Sequence, residues 1–393
     1  VAEEESHLLS APAAAALEQH TTTAVGNKFQ ALIDNLKFST VDPLWLTTIG
    51  QAAKSLITSY TYVTGNLNDP NRYVYDLPAP RDADRGLLVA VIGDWGTGTI
   101  QAEAIIQRIA DMRPDVVIHL GDTYYSGTRK EMRERLVDPL RKAFPPTSGT
   151  SVYVVPGNHE YYSNGAAFYA ALADLPRADG AHVQEASHFA LRYGKFVLQG
   201  ADTSFNDRSP IATAIRPPLT RLVESEQTWH AKQLADAAAK GKRTLLFSHH
   251  MLFTSTSSCG TDKSGTERAL DPYLLESFGP FFKKPIVAWF WGHDHNMAAY
   301  EEFAGLPRGR LVGHSAIPVK SHPSPYKTNA KLEDQDLPTL VPQCRVGGEG
   351  GLQFNGFATL TLKDETVDAK YYEVPRHSLN RYGQPRVVFH ETF

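Results

Sequence analysis

Five apolar runs in this chain stop on the same kind of polar residue. LLVAVI leads into Gly93-Asp94, VVIHL into Gly121-Asp122, SVYVV into Asn158-His159-Glu160, TLLF into His249-His250, and IVAWFW into His293-Asp294-His295. Each run has the length and the β-branched or aromatic content of a buried strand. In four of the five a glycine before the polar residue lets the backbone turn at the strand end. The carboxyl edge of an open α/β sheet, where such ends gather, is the edge at which ligands bind.

Between the first two runs, Ile100 to Met112 has helical spacing, and strand, helix, strand implies a parallel pair with a crossover. A charged helix is expected over Arg129 to Ala143, and a β-rich segment over Ser187 to Asp202 that turns at Tyr193-Gly194-Lys195. Glu224 to Lys240 reads as a helix, Thr254 to Glu267 as a Ser, Thr and Gly-rich lid, and Leu274 to Phe282 as a short helix. A further strand is expected over Leu311 to Val319, a Pro-rich loop over Ser321 to Pro342, and a hairpin from Phe357–Leu362 and Val367–Val374. Upstream, Val1 to Thr23 is an Ala-rich acidic arm. Asn27 to Thr64 carries two or three amphipathic helices broken at Asp42-Pro43, and Asn66 to Arg85 connects them onward. The expected organisation is a helical extension and linker over 1–86, the main α/β domain over 87–375 and a tail over 376–393.

Composition changes this picture little. With 42% hydrophobic and 21% charged residues the chain is an ordinary globular one. A formal net charge of -4 and the lack of a Lys or Arg run argue against a nucleic-acid partner. Two cysteines, Cys259 and Cys344, make no disulfide framework, and whether they pair is open. No stretch approaches the roughly 20 apolar residues of a membrane span. No basic segment followed by an apolar run opens the chain, so a signal peptide is absent or already removed, and the compartment stays open between cytoplasm, periplasm and exterior.

The strand-end set is Asp94, Asp122, Tyr125, Asn158, His159, His249, His293 and His295. Carboxylate, amide oxygen and imidazole suit a pair of borderline divalent or trivalent metals, and a carboxylate with two oxygens can bridge ions about 3.5 to 4 Å apart. Two such ions clamp a phosphoryl group and lower the pKa of a bound water, which is the chemistry phosphoester hydrolysis needs.

The ordered set GDWG, GDTYY, GNHE, LFSH and GHDH resembles the calcineurin-like metallophosphoesterase superfamily, and among its members the purple acid phosphatases of the small tartrate-resistant type. The resemblance covers Val89 to about Asn296. It implies a four-layer α/β/β/α sandwich of two mixed sheets, here with an N-terminal helical extension. It implies Asp94, Asp122, Tyr125 and His295 around one ion, Fe(III) in the purple enzymes. Asp122, Asn158, His249 and His293 would hold the other, which can be Fe(II), Zn(II) or Mn(II). The catalytic set it implies is His159, at the transition state or the leaving oxygen, with the bridging Asp122. A substrate-facing histidine common in these enzymes between the LFSH and GHDH blocks is missing, and its place is open to His250, to a lid residue or to nothing. The expected reaction is hydrolysis of a small phosphate monoester by metal-bound hydroxide. A phosphodiesterase acting on nucleotides or phospholipid headgroups is the alternative, and a non-enzymatic scaffold on the same fold is a further one. His119, His182, His188, His314 and His322 are expected to be structural, and Glu160 to brace the loop of His159.

Overall fold

The computed structural model describes residues 48, 59–63, 69, 71–179, 181–209, 215–378 and 381–393. The arm expected from Val1 and nearly all of the helices expected between Asn27 and Thr64 lie outside them.

A short strand, β1 (Val74–Asp76), precedes the first apolar run, β2 (Leu87–Ile92). The next two runs, β3 (Val116–His119) and β4 (Ser151–Val154), lie parallel to it. Helix α1 (Ile100–Asp111) makes the first crossover, its start fixed by Thr99, whose side chain accepts the Ala102 N–H. The expected hairpin is β5 (Phe189–Tyr193) with β6 (Phe196–Ala201). Parallel strands β7 (Arg243–Ser248) and β8 (Ile286–Trp291) follow, and then β9 (Met297–Tyr300) and β10 (Gly309–Val312). The second hairpin is β11 (Asn355–Lys363) with β12 (Thr366–Val374), and the chain ends in β13 (Arg386–Thr392). Two mixed sheets result, ordered β1-β5-β6-β7-β8-β10-β9 and β13-β12-β11-β2-β3-β4.

Strand alternation builds the layers. Val89, Val91, Ile118 and Leu360 of one sheet meet Leu198, Leu245, Phe247 and Phe290 of the other in a single buried cluster. Burying one such side chain stabilises by about 1.5–3 kcal/mol. The intervening residues face outward and need helices over them. Ala90 and Ile92 pack under Ile105 and Ile109 of α1. Leu246 and Trp289 pack with Leu234 of α2 (Glu224–Ala239) and with Leu274 and Phe278 of α3 (Pro272–Phe278). Helix, sheet, sheet, helix is the four-layer arrangement that the motif order implied.

Three segments differ from the pattern. The helix over 129–143 contains a π-helical stretch, Met132–Val137, between Arg129–Glu131 and Asp138–Ala143. The Glu131 carboxylate before it accepts the N–H groups of Tyr125, Ser126 and Thr128, tying this helix to the loop after β3. The strand expected to reach Val319 stops at Val312, because Gly313 donates to the Asn296 carbonyl and Ser315 closes onto Gly93 at the tip of β2. After Pro375, where the pattern offers no element, β13 completes the edge of the second sheet against β12.

Candidate metal centre

The tips of β2, β3 and β4 carry Asp94, Asp122 and Asn158, and those of β7 and β8 carry His249, His293 and His295, so both sheets deliver their carboxyl edges to one place. Asp94, Asp122 and His293 have φ of 56°, 72° and 70°, left-handed conformations that cost on the order of 1–3 kcal/mol each outside glycine. Hydrogen bonds hold them there: Asp94 N–H to Gly121 O (3.1 Å), Asp122 N–H to Glu160 Oε2 (3.1 Å) and His293 N–H to Asp94 Oδ2 (2.9 Å). The glycines of the motifs make room. A Cβ on Gly157 would lie 2.0 Å from Asp122 Oδ1, and one on Gly292 2.7 Å from Asp94 Oδ2.

The donor atoms converge with their lone pairs inward. His249 Nδ1 lies 2.9 Å from the Leu120 carbonyl, which can only accept, so Nδ1 carries the proton and Nε2 is bare in the neutral ring. That Nε2 faces Asn158 Oδ1 at 3.1 Å, His293 Nδ1 at 3.0 Å and Asp122 Oδ1 at 3.4 Å. Asn158 is turned this way because its Nδ2 donates to the Tyr162 hydroxyl at 2.6 Å. On the other side, Asp94 Oδ1 stands 3.7 Å from His295 Nε2. His295 keeps 34% of its side chain exposed, so the cluster opens to solvent there, whereas Asp94, Asp122, Asn158 and His249 are buried. The expected lid meets this opening, with the Ser257 hydroxyl donating to Asp294 between the two histidines and Asn329 Nδ2 donating to Ser257 O (2.8 Å).

Electrostatics point the same way. Burial pushes His249 down to about 4, leaving it neutral at physiological pH. Burial and then the charge of Asp122 push Asp94 well up from the usual carboxylate range. Burial opposes ionisation of Asp122 as well, yet His159, His249 and His293 hold its carboxyl below the ordinary value. Buried acceptors pointed at one another are costly unless a cation lies among them. The donor set therefore fits metal ions. Asp94, Asp122 and His249 offer ligand atoms within 4.8 Å of one another, and His249 and His293 group likewise with His250, whose ring nitrogens already face Thr203 and Asp207.

The structure brings together Asp94, Asp122, Asn158, His249, His293 and His295, but the phenol among them belongs to Tyr124. Its hydroxyl lies 3.1 Å from Asp94 Oδ1 and 2.9 Å from His295 Nε2. Tyr125, which the motif spacing puts at the metal, packs its ring 5.5 Å from the Arg135 guanidinium, and its carbonyl accepts from His159 Nδ1 at 2.6 Å. The physical reason is local: Arg135 Nη1 holds the Tyr124 carbonyl and Glu131 the Tyr125 N–H, which sets how the two rings point. His159 stands beside the cluster, its Nε2 3.7 Å from Asp122 Oδ2. Glu160 braces its loop, accepting the N–H groups of Gly157 and Asp122. His250 packs against His293 with ring centroids 4.5 Å apart. His119, His188 and His314 are buried without joining the donor set, and Cys259 and Cys344 are both free and buried.

Sequence reasoning missed the loop after β6, residues Asp202 to Arg208. Thr203, Ser204 and Asp207 from this loop all reach His250. Asp202, at the end of an apolar strand like the others, was the available signal, but it is turned toward Tyr161 and away from the cluster.

No helix among the described residues is long and apolar enough to cross a membrane. Among solved structures, the chain is similar to a dimetal phosphatase from Danio rerio, at 15% identity and a TM-score of 0.47 over 78% of this chain and 99% of that one. It is also similar to PhoD (13%, TM-score 0.49, 79% and 70%) and to GAP50, described as the anchor in the inner membrane complex of Plasmodium (13%, TM-score 0.46, 77% and 89%). Curated proteins offer no match. The sequence profile of the calcineurin-like phosphoesterases matches residues 87–297, a span that begins with β2 and ends just past His295, and the chain belongs to that family.

Proposed function

We propose that this phosphoesterase hydrolyses small phosphate monoesters at a dinuclear centre of the purple acid phosphatase type. Asp94, Asp122, Tyr124 and His295 would hold one ion, with Fe(III) the expected occupant. Asp122, Asn158, His249 and His293 would hold the other, Fe(II), Zn(II) or Mn(II), with Asp122 shared. When bound, the pair supplies Lewis acidity at the phosphoryl oxygens and a nucleophile at neutral pH. Asp122 supplies the shared carboxylate. His159 Nδ1 is committed to the Tyr125 carbonyl, so Nε2 is the atom that meets substrate, and the doubly protonated ring is the form that passes a proton from it to the leaving oxygen. His250 would act at the edge of the site. Substrate enters beside His293 and His295, the partly exposed members of the set.

The observation that carries the reading is the Tyr124 hydroxyl between Asp94 and His295, because a phenolate is a hard anionic donor suited to a trivalent ion. The test is to load the full chain with iron and a divalent metal and compare an aryl phosphate monoester with the corresponding bis-aryl diester. Faster cleavage of the monoester is expected. A diester cleaved much faster replaces this reading with the phosphodiesterase one, and inactivity with every metal tried favours a scaffold.

A further inference from the structure

His250 is held from two sides. Its backbone N–H donates to Thr203 Oγ1 at 3.0 Å, and the same hydroxyl lies 3.1 Å from His250 Nδ1. Having accepted the N–H, that hydroxyl has its own proton to give to Nδ1. The ring hydrogen therefore sits on Nε2, which faces Asp207 Oδ2 at 3.2 Å. Ser204 adds a second link, its hydroxyl donating to Pro156 O at 2.9 Å just ahead of Asn158 and standing 3.4 Å from His250 Nδ1. His250 and Asp207 are both buried, with 5% and 3% of their surface exposed. With its nitrogens occupied, His250 turns ring atoms toward two ligand histidines, His293 at 4.5 Å and 39° and His249 at 5.0 Å and 90°.

We infer that Asp207 is a positioning residue for the metal centre. Through His250 it fixes the plane against which His293 seats, and so sets how tightly the ion shared by Asn158, His249 and His293 is retained. The inference rests on the dinuclear reading above. It gives His250 a task distinct from touching substrate, because both of its nitrogens are spent on the loop after β6. Groups that orient metal-binding histidines typically govern affinity by about 10- to 100-fold.

Titration calorimetry of the metal-free full chain with Zn(II) tests this in Asp207→Ala and Asp207→Asn. The alanine leaves the His250 ring Nε2–H without its Asp207 acceptor and should weaken binding by about 10- to 100-fold. The asparagine offers a carbonyl oxygen in the same place and should restore the affinity to within about threefold of wild type, on the ground that a neutral acceptor replaces the carboxylate at one ordinary hydrogen bond. The melting temperature of the metal-free protein is the control, and Asp207→Asn keeps the test open should the alanine fail to fold. Unchanged affinity in both variants overturns the inference, as does an asparagine as weak as the alanine. A raised KM with unchanged Zn(II) affinity also overturns it, since His250 would then face substrate. Wild-type protein that takes up no Zn(II) sinks the dinuclear reading and this inference together, an outcome distinct from the others.

Discussion

Asn158 Oδ1 and His249 Nε2 stand 3.1 Å apart with a lone pair on each. Neither can donate to the other while His249 is neutral, and burial keeps it so down to about pH 4. A cation resolves the conflict, so metal must stabilise the fold. A ligand at a hundredfold excess over its Kd adds about 2.7 kcal/mol. The melting temperature is expected to fall by several degrees on dialysis against a chelator and to recover with Zn(II) or Mn(II). An unchanged melting curve would count against a metal at this position.

Tyr124 and Tyr125 make opposite predictions although they are neighbours. An iron-bound phenolate would give a visible charge-transfer band, and in the iron-loaded protein Tyr124→Phe is expected to abolish it and to lower kcat/KM by about 10- to 100-fold, as loss of a group at a metal typically does. Tyr125→Phe keeps its backbone carbonyl on His159 and should retain the band. Absorption spectra of the two variants decide the matter, and the reverse pattern would restore the spacing-based assignment to Tyr125.

His159 lies outside the donor set but within reach of what the donors bind. Replacing it with Asn is expected to lower kcat by about 10²- to 10³-fold, the range for losing one proton-transfer or charge-stabilising group, while Zn(II) affinity changes little. Calorimetry beside steady-state kinetics separates the two. Lost affinity in this variant would make His159 a ligand.

Asp202 provides a pH signature away from the centre. Burial and then the charge of Glu226 push its carboxyl up to about 7, from an ordinary 3.8. Between these values the folded chain keeps a proton that the unfolded chain releases, so the contribution to stability present below pH 4 is lost as pH rises to 7. His188 and His230, pushed down to about 4 and about 3 by burial, slope the other way below pH 6.5, so the difference from a variant is the proper measure. Asp202→Asn should gain on wild type by on the order of 2–4 kcal/mol between pH 4 and 7, and no further above it. Denaturant midpoints across that range check this, and a flat difference would show that Asp202 is ionised in the fold.

Much of this was legible because strand ends announce themselves. An apolar run stopping at Gly-Asp or at a histidine pair leaves one place for the polar group, and Asp94, Asp122, Asn158, His249, His293 and His295 all fell where the runs ended. What alternation could not reveal was side-chain direction inside a turn. Tyr124 and Tyr125 are chemically alike, and the choice between them is made by Arg135 and Glu131 from a helix later in the chain. The loop after β6 escaped for a similar reason. Thr203, Ser204 and Asp207 are ordinary loop residues until the fold lays them on His250. β13 was missed because an edge strand with one exposed face carries a faint apolar signal.

Three of the ligand-bearing tips rise from one sheet and two from the other. Any ion they share is thus a clasp joining two slabs whose seam is mostly hydrocarbon, with a few polar links such as Arg310 to Glu391 and the His293 N–H to Asp94, and its grip depends on how far apart the slabs stand. Hollowing the seam just beneath the tips, as Phe247→Ala would, lets the slabs drift. Such a protein would leak its metals while keeping its shape.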